Sequence, residues 1–197
     1  RDAMEENFQN ITQWLLFGGV DFDFISEKLL PEQCTACGAP LRVGRMAYDA
    51  IVVPNCQTLR ASTLERLEAF QKAGGRLIFT GEIPSLIDGI PDNRGAALAA
   101  KAMQVPFTRG AILEALQPVR LVELRNQTGS YTSNLVHQFR QDGNGRWLFL
   151  AHGKNPEKID LPQSQDVTIR LQGIWKPTLY DTQTGEIKDI PYTHDRG

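Results

Sequence analysis

Hydrophobic residues in the first part of the chain follow helical spacing. The apolar positions that recur at steps of three and four are Met4, Phe8, Ile11 and Leu15. This spacing predicts a helix over about residues 3–17, ended by Gly18-Gly19. The apolar residues that follow predict a short strand over about residues 20–25, a brief helical turn before Pro31 and an edge strand over about residues 41–44.

The clearest pattern lies between residues 50 and 79. An uninterrupted apolar run at 50–53 is typical of a strand that is buried on both faces in a parallel sheet. A helix is expected next, with Ser62 or Thr63 as its cap and Gly74-Gly75 at its end. Its inward-facing residues are Leu64, Leu67 and Phe70. A second buried strand at 77–79 completes a βαβ unit, whose two strands are expected to be parallel.

The rest of the chain divides near Pro118. Before it, the sequence predicts a loop over 81–91 and helices over about 95–103 and 110–116. After it, helical spacing gives way to short strands. These are predicted at 119–124, 131–140, 147–151, 167–171, 177–181 and 186–190. Tight-turn sequences at 142–145 and 181–185 indicate antiparallel pairing, as a meander or a sandwich fragment. We therefore expect an α/β domain over residues 1–118 and a β-rich segment over 119–197.

Composition and charge limit the function. The chain has 197 residues, of which 41% are hydrophobic and 22% charged, with a formal net charge of -2. No basic stripe is present, so a nucleic-acid partner is not expected. No apolar run reaches the roughly 18 residues that span a bilayer, so no membrane partner is expected, and a soluble, cytoplasmic chain is favoured. The opening residues Arg1-Asp2-Ala3 favour a piece of a longer polypeptide.

Cysteine and histidine are sparse. Cys34 and Cys37 form a single C-x-x-C motif, and Cys56 lies apart from them. Three cysteines do not make a disulfide framework. The histidines, which lie far downstream, are His137, His152 and His194. Zinc sites take four ligands at short spacings, so we predict no metal site, with the thiols reduced and their roles open.

Two loops are the expected places for chemistry. In open α/β sheets, ligands bind beyond the carboxyl ends of the strands. The loop after the first buried strand reads Pro54-Asn55-Cys56-Gln57. The loop after the second reads Thr80-Gly81-Glu82-Ile83-Pro84.

The amino-acid sequence of these strands and of the loops after them resembles a known family. Tyr48-Asp49-Ala50-Ile51-Val52-Val53-Pro54-Asn55 and Gly74-Gly75-Arg76-Leu77-Ile78-Phe79-Thr80-Gly81 look like the class I glutamine-amidotransferase-like domain of large glycoside hydrolases. That family includes the β-galactosidase trimerisation domain and a similar domain in α-L-rhamnosidase-like enzymes. Leu179-Tyr180-Asp181 and Thr184-Gly185-Glu186-Ile187 are similar to the β-sandwich that follows such domains. The resemblance implies a flavodoxin-like parallel sheet with helices on both faces, followed by an antiparallel β-rich segment.

The resemblance also implies that a catalytic group is missing. An active amidotransferase places a cysteine nucleophile in the bend after the second strand, where this chain has Thr80-Gly81-Glu82. Cys56 lies in the preceding loop, where the active family has glycine-rich oxyanion backbone. We therefore predict no catalytic, cofactor-binding or metal residues, and no cofactor. The predicted function is a non-catalytic accessory or scaffold region of a multi-domain glycoside hydrolase, whose catalytic barrel lies elsewhere in the polypeptide.

Two alternatives remain open at this point. A stand-alone cysteine enzyme of the amidotransferase superfamily would use Cys56 as its nucleophile. A carbohydrate-binding module would stack sugar rings on strand aromatics, for which the candidates are Trp147, Trp175 and Tyr180. The expected partners are the remaining domains of the same polypeptide, with a second copy of the chain and a carbohydrate as further candidates.

Carboxylates offer weaker candidates. Glu82 stands alone at a strand end, whereas glycosidases need two carboxylates at a set separation. Asp21, Asp23 and Glu27 form an acidic cluster around the predicted strand at 20–25. Alternation places Asp21 and Asp23 on one face, which we expect to be solvated and not a metal site.

Overall fold

A computed structural model describes residues 2–143, 145–156, 158, 160 and 164–195. It is a mixed α/β structure with a three-stranded parallel sheet between helices, followed by antiparallel strand pairs. This confirms the fold class predicted from the sequence. Within the described residues, no helix combines the length and the apolar character needed to cross a bilayer.

The first part of the chain contains two helices and a hairpin. Helix α1 (Asp2–Leu16) confirms the predicted helix, and α2 (Leu30–Gln33) has Pro31 in its first turn. Strands β1 (Leu41–Val43) and β2 (Met46–Tyr48) pair in antiparallel fashion, with Leu41 opposite Tyr48. The predicted edge strand is therefore confirmed, as one arm of a hairpin.

The predicted strand over 20–25 is wrong. The segment belongs to no strand ladder. Its apolar side chains pack without backbone pairing: Val20 and Phe22 contact a buried cluster, and the Phe24 ring lies 4.7 Å from the Phe8 ring. The hydrophobic pattern therefore reports side-chain packing here, which does not require a partner strand.

The predicted βαβ unit is confirmed. Strand β3 (Ala50–Pro54) is followed by the short β4 (Thr58–Leu59), by helix α3 (Ala61–Lys72) and by β5 (Arg76–Thr80). Strands β3 and β5 are parallel, with Val53 opposite Phe79. Helix α3 ends at the predicted glycines, where Gly74 has a φ of 87°. Glycine accepts this left-handed conformation without a Cβ clash.

The predicted cap of α3 is wrong. Arg60, and neither Ser62 nor Thr63, is the N-cap, and it makes no side-chain cap hydrogen bond. The backbone N–H of Arg60 donates to Glu27 Oε2 at 2.8 Å, and that of Ala61 donates to Asp88 Oδ1 at 3.3 Å. Carboxylates from distant segments thus satisfy the amides at this helix start, so local sequence does not reveal them.

The third strand of the parallel sheet was not predicted. After β6 (Leu86–Ile87), β7 (Ile90–Pro91) and α4 (Arg94–Ala99), the chain forms β8 (Met103–Val105), parallel to β5. The predicted helix over 95–103 therefore ends early, where Gln104 Nε2 donates to the Ala99 carbonyl at 2.9 Å. The predicted loop over 81–91 also holds β6 and β7, which form a small sheet with β4. Helix α5 (Arg109–Ala115) confirms the second predicted helix.

Helices cover both faces of the parallel sheet. Alternation along β5 sends Leu77 and Phe79 to one face and Ile78 to the other. The first face packs on α3 through Leu64, Leu67 and Phe70. The second packs on α1 and α5 through Ile11, Leu15, Ile112 and Ala115. Both clusters exclude water from the central strands.

After residue 116, the strands among the described residues pair in three antiparallel ladders. A 3-10 turn (Gln117–Val119) leads to β9 (Val122–Asn126), β10 (Leu135–Asp142), β11 (Gly145–His152), β12 (Val167–Leu171), β13 (Thr178–Tyr180) and β14 (Ile187–Asp189). Strand β10 pairs with β11, β9 with β12, and β13 with β14. The antiparallel pairing predicted from the sequence is confirmed, but β9 pairs with β12 across an intervening hairpin, so the ladders do not form a simple meander.

Both predicted tight turns connect paired strands. Asp142 lies opposite Gly145, and Gly143 has a φ of 54°. Asn144, which the turn prediction included, lies outside the described residues. In the second turn, the Gly185 N–H donates to the Asp181 carbonyl at 2.8 Å.

A buried charge cluster joins the β-rich part to the α/β part. Arg120 Nη1 donates to the Gly18 carbonyl at 3.2 Å, and its Nη2 lies 2.5 Å from Glu123 Oε2. The Tyr131 ring lies 4.8 Å below the Arg120 guanidinium. Arg109 of α5 donates to the Phe17 carbonyl at 3.3 Å and also to the Thr132 carbonyl. We call Arg109, Arg120, Glu123 and Tyr131 the joint.

Candidate functional site

The bend after β5 is closed by Asn55. The Asn55 N–H donates to the Thr80 carbonyl at 2.7 Å, and Asn55 Oδ1 accepts the N–H of Glu82 at 2.8 Å. Asn55 has a φ of 38° and Gly81 a φ of 75°, both in the left-handed region. A Cβ added at Gly81 would lie 2.7 Å from Asn55 Oδ1. Hydrogen bonds therefore hold the two strand-end loops together at the position where a ligand would be expected.

Thr80 does not present its hydroxyl to this bend. The residue is fully buried, and its Oγ1 donates to the Pro106 carbonyl at 3.1 Å. The Gly81 N–H donates to the Val105 carbonyl at 3.3 Å, which also fixes the bend against β8. Thr80 and Gly81 thus make structural hydrogen bonds at this bend.

Cys56 is half-buried in the loop after β3 and packs against the first cluster. Burial, with the nearby carboxylates of Glu27 and Glu82, raises its pKa to about 11. A nucleophilic cysteine needs the opposite, a thiolate at neutral pH and a base beside it. In the part of the chain that the structure describes, no hydrogen bond joins Cys56 to a histidine. The surroundings of Cys56 keep its thiol protonated.

All three histidines lie in the β-rich part. Burial lowers the pKa of His137, and the Asp21 carboxylate opposes that effect. His152 Nδ1 lies 3.4 Å from Asn134 Nδ2, and His194 Nε2 lies 3.0 Å from the Trp175 carbonyl. None of these contacts reaches the strand-end loops.

The acidic residues have separate structural contacts. Asp23 Oδ2 accepts the Tyr48 hydroxyl at 2.8 Å, and burial together with Asp23 raises the pKa of Tyr48 to about 12. Glu27 accepts the Arg60 amide at the start of α3. Asp21 and Asp23 are both exposed, in line with the solvated face expected from the sequence. Across the described residues, no group of three or more His, Cys, Asp or Glu side chains is placed to hold a metal ion.

Two of the three candidate aromatics lie together. The rings of Trp147 and Tyr180 are 5.0 Å apart in an edge-to-face arrangement, and each residue is 51% exposed. Phe149 follows two positions after Trp147 on β11 and is 57% exposed. We call Trp147, Phe149 and Tyr180 the aromatic face. The alternation along 147–149 is the sequence signal that could have added Phe149.

Trp175 lies apart from the aromatic face. The Arg146 guanidinium lies 4.6 Å from its ring, and its Nε1 donates to the Gln172 carbonyl at 2.8 Å. A Cβ added at Gly173 would lie 2.8 Å from Trp175 Nε1. Trp175 therefore has intramolecular partners for both its ring face and its N–H.

A surface cleft was not predicted. It has a volume of about 420 Å³ and lies between the segment after α1 and the β1–β2 hairpin. Its wall combines the Asp23–Tyr48 hydrogen bond, Arg45 and the exposed apolar residues Phe24 and Met46. It shares no residue with the loops at the carboxyl ends of β3 and β5.

Comparisons with known proteins give one distant likeness. No protein-family model matches the chain, and no curated protein matches it. Among solved structures, the chain is similar to the apo exo-carrageenase GH42 from Bacteroides ovatus, with a TM-score of 0.47 and 11% identity. The match covers 85% of this chain and 25% of that one, so the chain spans about a quarter of its length. That neighbour is a glycoside hydrolase, but similarity of this strength shows neither a shared family nor a shared function.

Proposed function

We propose that the chain is a non-catalytic accessory region of a multi-domain glycoside hydrolase, with the catalytic barrel in another part of the polypeptide. The observation that carries the proposal is the bend after β5. Thr80, Gly81 and Glu82 occupy the position where the resembling amidotransferases present a nucleophile, and Asn55 closes that position by hydrogen bonding. A parallel sheet with helices on both faces, together with a bend that carries no cysteine, supports this proposal.

Exposed apolar side chains on the α/β part support a packing role. Met4 and Phe8 of α1 are 75% and 55% exposed, and Phe24 beside Phe8 is 57% exposed. Apolar patches of this kind mark contact surfaces more often than scattered single residues do. The remaining domains of the same polypeptide are the proposed partners of this surface.

Aryl-glycoside hydrolysis tests the proposal. The purified chain is expected to release no aryl alcohol, whereas the polypeptide encoded by the whole reading frame is expected to turn the substrate over. That reading frame should encode a barrel-sized segment with paired carboxylates outside the chain. Turnover by the chain alone, or a full-length polypeptide with no such segment, would overturn the proposal.

Sugar binding by the aromatic face is a second candidate. It is favoured by the exposure of Trp147 and Tyr180, because aromatic rings that keep a free face can stack on the apolar face of a sugar. Tryptophan fluorescence titrated with neutral oligosaccharides tests it. A saturating change that Trp147→Ala abolishes and Trp175→Phe retains would support binding, and no response up to millimolar sugar would exclude it.

A further inference from the structure

The two thiols of the C-x-x-C motif are in contact. Cys34 Sγ lies 3.3 Å from Cys37 Sγ. A disulfide requires a separation of about 2.05 Å, so a relative movement of roughly 1.3 Å would bring the sulfurs to bonding distance. Neither thiol is bonded in the structure. An inference drawn from this distance does not rest on the proposed function.

The backbone holds the two cysteines differently. The Cys34 N–H donates to the Leu30 carbonyl at 2.8 Å and ends α2, and the Cys34 carbonyl accepts Arg66 Nε at 3.2 Å. Cys37 lies in the irregular segment that follows. The small movement that bonding requires can therefore come from Cys37, while Cys34 stays in place.

Burial gives the sulfurs different access to solvent. Cys34 is only 1% exposed and belongs to the first buried cluster, whereas Cys37 is half-buried at the edge of that cluster. Burial and the neighbouring Cys37 raise the pKa of the Cys34 thiol to about 11. A reagent from solvent would therefore reach Cys37 first.

We propose that Cys34 and Cys37 form a redox pair, which a low-molecular-weight disulfide oxidises reversibly to an intramolecular disulfide. The Cys37 thiolate attacks one sulfur of the small disulfide, which forms a mixed disulfide and releases one small thiol. The Cys34 sulfur then attacks the Cys37 sulfur, and its proton passes to the departing small thiolate, which leaves as the second small thiol. Two protein thiols are oxidised, and one small disulfide is reduced to two thiols.

The position of the pair indicates a stable linkage and not a redox catalyst. Disulfide oxidoreductases place their attacking cysteine before a helix N-terminus, which lowers its pKa. Here Cys34 follows the last residue of α2, and its thiol pKa is raised. Thiol–disulfide exchange is therefore expected to be slow. The resulting disulfide should be shielded from reductant because Cys34 is buried.

Mass spectrometry of the folded chain in buffers with graded ratios of oxidised to reduced glutathione tests the proposal. Free thiols are alkylated after unfolding, and the peptide that contains both cysteines is then measured. We expect this peptide to lose two hydrogens and to escape alkylation as the buffer becomes oxidising, and to recover its thiols when reductant is added. Cys56→Ser is the matched control and should behave like the wild type.

Single variants separate the two steps. Cys34→Ser retains the accessible thiol but no resolving partner, so it should accumulate the mixed disulfide at Cys37 to at least about tenfold the wild-type level. Cys37→Ser should accumulate little adduct, because Cys34 is buried. Two results would overturn the proposal. One is a pair that stays reduced in every buffer in which the chain remains folded, and the other is oxidation that yields only disulfides between chains.

Discussion

The parallel sheet and the β-rich part differ in how their strands are covered. Strand β5 sends Phe79 into one buried cluster and Ile78 into another, so both of its faces are dry. Strand β11 sends Leu148 and Leu150 into a small third cluster, while Trp147 and Phe149 on its other face stay exposed. The first arrangement provides stability, and the second leaves a surface free for contact.

The two candidate functional surfaces, the strand-end loops of the parallel sheet and the aromatic face, differ in the same way. At the carboxyl end of the parallel sheet, Asn55 and Glu82 bond to each other and the bend is closed. In the β-rich part, the Trp147 and Tyr180 rings of the aromatic face contact each other, but half of the surface of each residue is exposed. The bend after β5 is thus closed by hydrogen bonds, whereas the aromatic face is partly open to solvent.

Removal of a buried phenylalanine ring is expected to lower the free energy of unfolding most, and removal of an exposed ring to lower it little. Phe79→Ala should lower the free energy of unfolding by about 3–5 kcal/mol, because it removes a fully buried ring and leaves a cavity. Phe149→Ala, the matched control on the aromatic face, should change it by less than about 0.5 kcal/mol. Urea unfolding followed by circular dichroism measures both. Equal losses would mean that the exposed face of β11 is covered in the folded chain.

A substitution in the joint is expected to have the next largest effect on the free energy of unfolding. Glu123→Gln should lower the free energy of unfolding by up to about 3 kcal/mol, because the buried Arg120 guanidinium loses its charged partner. Glu186→Gln removes the carboxylate of an exposed pair with Lys188 and should cost less than about 1 kcal/mol. A loss at Glu123 no larger than at Glu186 would show that the Arg120–Glu123 pair does not stabilise the joint.

The same variant has an expected pH signature. Burial favours a raised pKa at Glu123, but the hydrogen bond from Arg125 and the charges of Arg120 and Arg125 outweigh it and lower the pKa. The unfolded chain therefore takes up this proton first as the pH falls. The ionised Glu123 side chain therefore contributes its full stabilisation at pH values above its pKa in the unfolded chain, about 4.3. This contribution is lost as the pH falls towards the lower pKa of the folded chain. The stability gap between wild type and Glu123→Gln should narrow on acidification, and a gap that widens would contradict the assignment.

A smaller effect is expected at the closed bend. Asn55→Gly removes the hydrogen bond to the Glu82 amide but accepts the left-handed backbone, whereas Asn55→Ala loses the hydrogen bond and strains the backbone as well. We expect alanine to be more destabilising than glycine by about 1 kcal/mol. Thermal unfolding of the two variants gives the comparison directly. The reverse order would show that the positive φ of Asn55 is not required.

Sequence patterns predicted the two strands of the parallel sheet that carry apolar runs and missed its third strand, β8. The apolar runs at β3 and β5 are visible because both faces of each strand pack against a buried cluster. Strand β8 has the mixed sequence Met103-Gln104-Val105 at the sheet edge, and its Gln104 side chain ends the preceding helix. The segment at 20–25 shows the opposite error, since its apolar residues are packed but unpaired.

The candidate site was predicted in composition but not in its contacts. The sequence places Thr80, Gly81 and Glu82 after the second strand, and this ordering is enough to show that no cysteine stands there. It does not show that Asn55, 27 positions earlier than Glu82, closes the bend. The joint was missed for the same reason, because Gly18 and Arg120 are 102 positions apart. Contacts of this range depend on the packing of the sheet and leave no local pattern.

The reactivity of Cys56 tests the central claim most directly. Iodoacetamide alkylation of the folded chain, followed peptide by peptide as a function of pH, reports the thiolate fraction at this residue. With a pKa of about 11, alkylation near neutral pH should be on the order of a hundredfold slower than that of a free thiol, whose pKa is about 8.5. The rate should still be rising well above that ordinary value. Rapid labelling with a midpoint at or below neutral pH would reveal an activated nucleophile and contradict the account.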